Sequence, residues 1–396
     1  MKMGREGFNV HMSILLVTML LMTTGLIAVY SASGSLSGNE RRIRAQHHNQ
    51  MLDDKYHDTG YLKRQASGAA MGLVAMLFFY HFDYRRLKRW SFWIMAGCFV
   101  CCALVWAPGL GFGSNGSHRW LNLKFGLFQS SEFAKVGLII YMAKMLDDRH
   151  RYIKSFFSGV LPAMVVTGAF ALIIVVEPDF GAAFVLVSVI FGMWVCGEMR
   201  WLHMFGLLFA AVPAAVAAFV MEPYRMRRLF AFVSDDPETR MREGFQLYQS
   251  LIAIGTGGWQ GLGLGMSMQK ENYLNAAHTD FIFAIIAEEL GFVRCSMIIG
   301  LFLALVCLGW WVALNTSDLF GSLLAVGITL NLFFGTAINM CVVLGLLPTK
   351  GLVLPFMSYG GSSILVMLGS MGILMNIARR QFALVGRHLI PVELPV

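Results

Sequence analysis

The chain has 396 residues, of which 57% are hydrophobic and only 14% are charged, and its net charge is +8. Because an ordinary soluble domain is about 25% charged, this composition excludes a soluble globular protein and indicates a membrane protein. The strands of an outer-membrane barrel would need alternating apolar and polar residues, and no such pattern is visible. The 7 cysteines fall within or beside apolar runs, so they predict no disulfide framework.

About ten apolar segments approach the ~20 residues that a helix needs to cross a bilayer. The sequence therefore predicts an all-α polytopic membrane protein. The first segment is long and more spans follow it, which favours a retained helix over a signal peptide. The predicted spans are residues 11–31, 66–82, 91–108, 131–147, 157–176, 180–197, 201–221, 280–312, 319–347 and 360–378.

An even number of spans places both termini on one side of the membrane. Basic clusters at 83–89 and 144–154 lie in tight hairpins, so the positive-inside rule favours cytoplasmic termini. The whole chain, 1–396, is treated as one membrane domain, with a cytoplasmic tail at 379–396.

Three polar segments are then predicted on the outer side. Residues 32–65 are predicted to form a loose loop, and residues 109–130 form a turn region rich in Gly, Ser and Asn. The largest outer loop, 222–279, connects the seventh and eighth spans. Its middle part, 243–254, is mildly apolar and predicts a helix at the membrane interface. The glycine-rich run 255–265 lacks the spacing of a nucleotide-binding loop and is interpreted as a hinge.

Asp280 stands at the start of the eighth predicted span, in "AHTDFIFAIIAEELGF". An ionisable residue in or near a membrane span is costly and is a functional-site hypothesis by default. The alternative is that its carboxylate caps the helix N-terminus. On a helix, a stripe of small side chains would share its face and permit either close packing or a cavity. The members of this predicted stripe are Ala284, Ala287 and Gly291.

Other acids near the predicted spans have structural and functional interpretations. Glu288 is predicted to border the same cavity as Asp280, and Glu289 to pair within the bundle. Glu132 and Lys135 are spaced i,i+3 and share a helix face, so they form either a local ion pair or part of a buried polar network. Asp179 in "EPDFG" is predicted to cap the helix that follows.

Residues 346–363 contain two prolines and paired glycines between apolar spans. Irregular backbone at membrane depth is tolerated only when it is buried in protein or lines a wet cavity. The segment is therefore interpreted as a re-entrant loop that lines a cavity.

Several cations would share the outer side with Asp280. A general base needs a carboxylate near a hydroxyl, and a diphosphate leaving group needs cations or a divalent metal ion. The pattern fits chemistry on a lipid-linked diphosphate. The cations are Arg119, Arg225, Arg227, Arg228, Lys270 and Lys350.

Long motifs in a fixed order resemble the SEDS family, the shape, elongation, division and sporulation proteins. The motifs are "GSHRWLNL", "QSSEFAK", "EPDFG", "AHTDFIFAIIAEELGF" and "LPTKGLVLPFMSYGGSS". The resemblance extends from about residue 11 to 380 and is stronger to the division or sporulation branch than to the elongation branch. It implies a ten-helix glycosyltransferase that polymerises peptidoglycan from lipid II with inversion at the anomeric carbon.

By motif, the resemblance implies that Asp280 is the catalytic base. Two alternatives remain. A lipid II flippase would use the same cations and cavity but would not need a positioned base, and a non-catalytic division scaffold would only anchor division proteins and would tolerate loss of Asp280. Substrate contacts are expected at Arg119, Glu132, Lys135, Arg227, His278, Lys350 and Ser358.

The resemblance also implies partners and a location. A divalent cation, Mg²⁺ or Mn²⁺, is expected to assist, without an organic cofactor. The expected partners are lipid II, undecaprenyl-diphosphate-linked glycan, a class B penicillin-binding transpeptidase and other membrane proteins of the division machinery, but not nucleic acid. The expected location is the bacterial inner membrane at the division septum.

Overall fold

The apolar runs of the sequence form long helices, as a computed structural model of the chain shows. A helix forms hydrogen bonds between its own backbone N–H and C=O groups, and the hydrocarbon of a bilayer offers no other partners for them. The structure describes residues 9–48, 60–107, 109–114, 117–123, 126–206, 209, 213, 223–233, 236, 239, 242, 244–270, 274 and 278–387.

The helices of this part of the chain follow the predicted order. A π-helical turn, Phe156–Val160, leads into α5, and residues 201–206 are also helical. The α-helices are α1 (Val10–His48), α2 (Gly60–His81), α3 (Tyr84–Leu104), α4 (Ser130–Asp148), α5 (Leu161–Val176), α6 (Phe180–Cys196), α7 (Pro223–Val233), α8 (Phe245–Gly257), α9 (Ile282–Asn315), α10 (Leu319–Val343) and α11 (Gly361–Arg387).

The helices confirm the prediction of a polytopic membrane protein. Within the described residues, 6 helices are long and apolar enough to cross a membrane, and Phe180–Cys196 is a shorter apolar helix. The predicted spans 66–82 and 131–147 correspond to α2 and α4, which carry more polar side chains. Most of the predicted span 201–221 lies outside the described residues. The 6 helices are Val10–Ser33, Tyr84–Leu104, Phe156–Val176, Ile282–Asn315, Leu319–Val343 and Gly361–Gln381.

Helix α1 is longer than predicted. It continues to His48, whereas a loose loop was predicted from residue 32. The segment from 32 to 48 contains two glycines, which weaken a helix, but no proline, and its second half is rich in Glu, Arg, Ala and Gln, which favour one. Residues 49–59 of the predicted loop lie outside the described part.

The turn region at 109–130 contains a small sheet, so the all-α expectation misses one element. Strands β1 (Gly111–Ser114), β2 (Ser117–Leu123) and β3 (Gly126–Gln129) pair antiparallel in the order β1-β2-β3. The sequence Asn115-Gly116, between the first two strands, is the pair favoured in two-residue hairpin loops. The glycines and asparagines therefore mark a hairpin rather than irregular turns.

Small residues let the elements approach closely, as is common in membrane bundles. A methyl group at Gly372 of α11 would overlap the carbonyl oxygen of Met76 in α2. Likewise, a methyl group at Gly25 of α1 would overlap the carbonyl oxygen of Phe356. The first contact packs α11 on α2, and the second packs α1 on the irregular segment at 346–363.

The predicted inner connections meet at one end of the bundle. There Lys88 contacts Asp147 at 2.6 Å, Arg380 contacts Asp83 at 3.0 Å, and the hydroxyl of Tyr84 bonds the carboxylate of Asp318 at 2.5 Å. The sheet, α7, α8 and the start of α9 lie at the other end. The grouping of the connections fits the predicted topology, and their orientation toward the cytoplasm stays a prediction.

A kink divides α9 at Gly291, where φ is 73° and ψ is 178°. The glycine-rich run packs on this kink. The amide of Leu262 donates to the carbonyl of Glu288 at 3.0 Å, and the amide of Phe292 donates to the carbonyl of Gly258 at 2.8 Å. The run interpreted as a hinge is thus bound to α9 through its backbone.

Candidate functional site

Asp280 lies in the turn before α9 and not on the helix. The N-cap residue is Phe281, and no side chain caps this helix end, so the capping interpretation of Asp280 is wrong. The predicted stripe from Asp280 to Gly291 is also wrong, because it requires one regular helix from residue 280. Instead, Ala287 and Gly291 contact the backbone of the glycine-rich run.

The amide of Asn339 holds the backbone of Asp280 in place. Its Nδ2 atom donates to the carbonyl oxygen of Asp280 at 2.9 Å and to that of Leu352 at 2.6 Å. Asn339 is buried in α10. One side chain therefore joins the turn before α9 to the segment at 346–363.

Ser358 and Tyr359 strengthen this connection. The hydroxyl of Ser358 donates to the carbonyl of Thr279 at 2.6 Å and accepts from the amide of Leu354 at 2.7 Å. The amide of Tyr359 donates to the carbonyl of His278 at 2.9 Å. Ser358, a predicted substrate contact, thus acts in this structure as a positioning residue.

Two arginines face Asp280 from different elements. Arg119 of β2 donates from Nη2 to the carbonyl oxygen of Pro178 at 2.6 Å. Arg228 of α7 donates from Nη1 to the carbonyl oxygen of Thr349 at 3.3 Å. Arg227, the predicted contact, is exposed, whereas Arg228 is half-buried. The side chain of Arg225 lies outside the described part.

Burial raises the pKa of Asp280 to about 6, and the nearby Asp179 acts in the same direction. Arg119 and Arg228 oppose this rise, because they favour the ionised carboxylate. A carboxylate with a pKa just below neutral is ionised at neutral pH and is still a useful proton acceptor. The position and the electrostatics of Asp280 therefore suit a general base.

Asp179 caps α6, as predicted. Its carboxylate accepts from the amide of Ala182 at 3.2 Å and from the hydroxyl of Ser131 at 3.1 Å. Glu177, in the same turn, is fully buried and accepts from the hydroxyl of Ser130 at 3.0 Å. Burial raises the pKa of Glu177 to about 7.

Lys350 also lies near Asp280, in the segment at 346–363. Its Nζ atom is 4.5 Å from the ring centre of Phe184 and 5.7 Å from that of Phe180, both in α6. Burial lowers the pKa of Lys350. The predicted irregular and buried character of this segment is confirmed, since Leu352 and Phe356 are buried in non-helical backbone.

Glu132 and Lys135 form a buried ion pair with an N–O distance of 2.8 Å, which confirms the local-pair interpretation. They line a cavity of about 20 Å³ together with residues that include Asn331, Leu352 and Pro355. This space is about the size of one water molecule. The pair and Asp280 thus lie against different parts of the segment at 346–363.

Glu288 and Glu289 hold the loop that precedes Asp280. The carboxylate of Glu288 accepts from the hydroxyl of Ser267 and from the amide of Met268, the latter at 3.2 Å. It therefore binds this loop, and its predicted place beside Asp280 is not observed. Glu289 pairs with Lys270 at 3.0 Å and accepts from Ser31 at 2.6 Å, which confirms its predicted pairing.

Sequence patterns miss Gln65, a buried amide in α2. Its Nε2 atom donates to the carbonyl of Ser358 at 3.0 Å, and its Oε1 atom accepts from the amide of Gly360 at 3.0 Å. An amide in an apolar helix is the signal that indicates such a bond, as it is for Asn339. His278, a predicted substrate contact, packs its ring 5.0 Å from that of Tyr61.

In the part of the chain that the structure describes, no three His, Cys, Asp or Glu side chains converge to hold a metal ion. A carboxylate cage built by the protein alone is therefore not formed among these residues. The predicted Mg²⁺ or Mn²⁺ requirement stays a prediction.

Comparison with known proteins agrees with this arrangement. Residues 11–382 match the family described as "Cell cycle protein", which groups FtsW, RodA and SpoVE. The chain belongs to the FtsW, RodA and SpoVE family. This confirms the resemblance found in the sequence motifs.

Two curated members of the FtsW, RodA and SpoVE family cover nearly the whole chain. A probable peptidoglycan glycosyltransferase FtsW of Geobacter sp. strain M18 is 39% identical over 376 residues, covering 95% of this chain and 98% of the relative. Stage V sporulation protein E of Bacillus subtilis strain 168 is 39% identical over 369 residues, covering 92% and 96%.

Solved structures share the fold of this family member. A chain from a peptidoglycan synthase complex that coordinates polymerization and crosslinking matches with a TM-score of 0.73 and 25% identity, covering 94% of this chain and 98% of that one. The rod shape determining protein RodA of Thermus thermophilus matches with a TM-score of 0.66 and 24% identity, covering 93% and 96%.

Proposed function

We propose that this family member is a peptidoglycan glycosyltransferase that polymerises lipid II at the outer face of the bacterial inner membrane. The observation that carries the proposal is the carboxylate of Asp280, which belongs to a half-buried residue and is under the influence of Arg119 and Arg228. The name of the Geobacter relative, a probable peptidoglycan glycosyltransferase, supports the same reaction class.

In the proposed reaction Asp280 takes the proton from the 4-hydroxyl of the acceptor sugar. The hydroxyl oxygen then forms a bond to the anomeric carbon of the donor, from the side opposite the diphosphate. The bond between that carbon and the diphosphate oxygen breaks, and its electron pair leaves with the diphosphate. The configuration at the carbon is inverted. A positioned base contributes about 10²–10⁴-fold.

Fixed charges and backbone contacts supply further stabilisation in this proposal. Arg119 and Arg228 are held by backbone carbonyls, so their charges are oriented before the substrate binds. Preorganised charges stabilise a developing anion without reorganisation during the reaction. Asn339 and Ser358 position the turn that carries Asp280.

A divalent cation remains part of the proposal as an expectation. Mg²⁺ is often held by one or two carboxylates together with substrate phosphates, so it would enter with the lipid diphosphate. Chelation with EDTA should then stop polymerisation, and added Mg²⁺ or Mn²⁺ should restore it. Full activity in EDTA would contradict this requirement.

The proposed setting is the division septum, with both termini in the cytoplasm. The proposed partners are a class B penicillin-binding transpeptidase and other membrane proteins of the division machinery. The similarity to a chain from a synthase complex that coordinates polymerization and crosslinking supports a transpeptidase partner. Co-purification of the full-length chain with its cognate transpeptidase tests this partner.

The decisive experiment supplies purified lipid II to the wild-type protein and to Asp280→Asn. The wild type should form glycan polymer, and Asp280→Asn should lose about 10²–10⁴-fold in rate. Asp236→Asn, an exposed acid of the outer loop, is the matched control and should remain active.

Near-normal polymerisation by Asp280→Asn would refute the role of this residue. A wild-type protein that moves lipid II across vesicles without forming polymer would instead be a flippase. Absence of both activities would favour the scaffold alternative.

A further inference from the structure

Lys350 is held by aromatic rings rather than by an acid. Its Nζ atom lies 4.5 Å from the ring centre of Phe184 and 5.7 Å from that of Phe180. Among the residues that the structure describes, its ammonium group makes no hydrogen bond or ion pair. Cation–π contacts hold an ammonium group over a ring face, and its N–H donors remain available for another group.

The chain around Lys350 places this ammonium at the edge of the candidate site. The preceding residue, Thr349, accepts a hydrogen bond from Arg228. The following residue, Gly351, lies against the carboxylate of Asp280. Thr349 thus lies next to Arg228, Lys350 next to two phenylalanine rings, and Gly351 next to the proposed base. Because burial lowers the pKa of Lys350, its charged form gains from an anion brought beside it.

Phe184 also begins an apolar stripe along α6. Phe184 is 46% exposed, Val187 is 40% exposed and Val195 is 38% exposed, with the half-buried Phe191 between the valines. Spacings of three and four residues place these side chains on one helix face. In a membrane-spanning bundle, such a face meets acyl or polyprenyl chains. The ammonium of Lys350 lies at the upper end of this stripe.

We propose that Lys350 binds the diphosphate of the polyprenyl-linked donor, while the polyprenyl chain follows the α6 stripe from Phe184 toward Val195. This inference rests on the proposed glycosyltransferase function. The ligand has an anionic head and a long apolar tail, and the site has a cation at the head of an apolar face. When the sugar–diphosphate bond breaks, Lys350 meets the charge that develops on the leaving oxygen.

The proposal assigns different parts of one ligand to different residues. Arg119 and Arg228 lie beside Asp280, where the sugars react. Lys350 lies where the diphosphate joins the polyprenyl chain. A phospholipid also combines an anionic head with apolar chains, but it carries a single phosphate and shorter chains. The experiment must therefore distinguish a donor-diphosphate subsite from a general phospholipid site.

The test measures binding of undecaprenyl diphosphate to the full chain in detergent by native mass spectrometry, without any polymerisation step. Lys350→Gln should weaken binding by about tenfold or more, as loss of a charge-assisted contact does. Lys350→Arg should retain most of the affinity. Lys154→Gln, an exposed lysine at the opposite end, is the matched control and should bind as the wild type does.

The stripe is tested by chain length. Val195→Ser should weaken binding of undecaprenyl diphosphate several-fold and leave binding of geranyl diphosphate unchanged, because Val195 lies about 16 Å along α6 from Phe184, beyond the reach of the short chain. Leu16→Ser, which changes a lipid-exposed residue of α1, should affect neither ligand. Equal effects of Val195→Ser on both ligands, or an unchanged affinity for undecaprenyl diphosphate, would overturn the proposed path of the tail.

Two outcomes would overturn the head-group assignment. Wild-type affinity in Lys350→Gln would show that the ammonium does not bind the diphosphate. Displacement of undecaprenyl diphosphate by an equal concentration of phosphatidylglycerol would show a general phospholipid site. Failure of the proposed function is a separate result, because it would appear as absence of polymer from the wild type while these binding differences stand.

Discussion

The α-carbon of Gly351 lies against the carboxylate of Asp280. A methyl group at position 351 would be 3.2 Å from Oδ2 of Asp280 and 3.7 Å from Nη1 of Arg119. The proposed base and its neighbouring cation therefore both approach a position where the chain has no side chain. Because Gly351 has no Cβ atom, the carboxylate of Asp280 and the guanidinium of Arg119 can both approach the backbone at this position.

Gly351→Ala should lower the rate of polymerisation by about tenfold, because small displacements of a catalytic group are costly. The added methyl group would force Asp280 or the loop to move by a few tenths of an ångström. Measurement of kcat and KM with lipid II should place most of the loss in kcat.

Gly360→Ala is the control for this substitution. A methyl group there would make ordinary contacts, 3.6 Å from Cβ of Ser363, in the same segment of chain. Equal losses in both variants would mean that the segment is sensitive to any added side chain. A wild-type rate in Gly351→Ala would contradict the tight approach to Asp280.

The pH dependence of the reaction should report the raised pKa of Asp280, about 6. A base must be ionised, so kcat/KM should be constant above about pH 7 and fall about tenfold per pH unit well below 6. Because Arg119 lowers this pKa, Arg119→Gln should move the midpoint to higher pH. A midpoint near 4, as for an exposed carboxyl group, would show that Asp280 is not desolvated.

Glu177→Gln should stabilise the protein at neutral and alkaline pH. The folded-state pKa of Glu177 is raised to about 7 by burial, above the ~4.3 of an exposed glutamate. The neutral acid is thus favoured in the fold, and its contribution to stability is lost as the pH rises from about 4 to 7. The gain from Gln should grow over this interval to about 3–4 kcal/mol and then level off.

Unfolding temperatures of the detergent-solubilised protein at pH 5 and pH 8 test this sign. The difference between Glu177→Gln and wild type should be larger at pH 8. Glu198→Gln, an exposed acid after α6, provides a comparison that should change little at either pH. A larger gain at pH 5 would reverse the sign and contradict the prediction.

Lys270→Met should destabilise the fold, because it leaves the carboxylate of Glu289 buried without its cation. The side chains of this pair are only 9% and 3% exposed, and removal of one partner of a buried pair costs about 3–5 kcal/mol. The double variant Lys270→Met with Glu289→Gln should recover much of the loss, since no charge then remains buried. Thermal unfolding of the three proteins measures this coupling, and equal stability of the single and double variants would contradict it.

Much of the fold follows from local properties of the sequence. Long apolar runs predict the helices because their length and composition are sufficient evidence. The cap by Asp179 and the pair of Glu132 with Lys135 depend on residues close together in sequence, so their geometry follows from helix periodicity. The sheet at 111–129 was missed although Asn115-Gly116 signalled a hairpin.

The site was harder to predict because distant residues determine it. Asp280 was placed on a helix by periodicity, but bonds from Asn339 and Ser358 hold its backbone in a turn. The choice of Arg228 over Arg227 depends on the rotation of α7, whose neighbours the sequence does not specify. The sequence therefore predicted an acid among arginines, but it did not predict that Asp280 lies in a turn or that Arg228, rather than Arg227, faces it.

The kink at Gly291 separates the short arm that follows Asp280 from the membrane-crossing remainder of α9. The arm is secured by Asn339, Glu288 and Glu289, while the remainder, residues 292–315, has one face buried in the bundle and one exposed apolar face. Spans answer changes in bilayer thickness by tilting. Because the glycine-rich run 255–265 is hydrogen-bonded to Glu288 before the kink and to Phe292 after it, we expect a change in tilt to move the arm and the remainder together, so the position of the proposed catalytic carboxylate should respond to the thickness of the surrounding membrane.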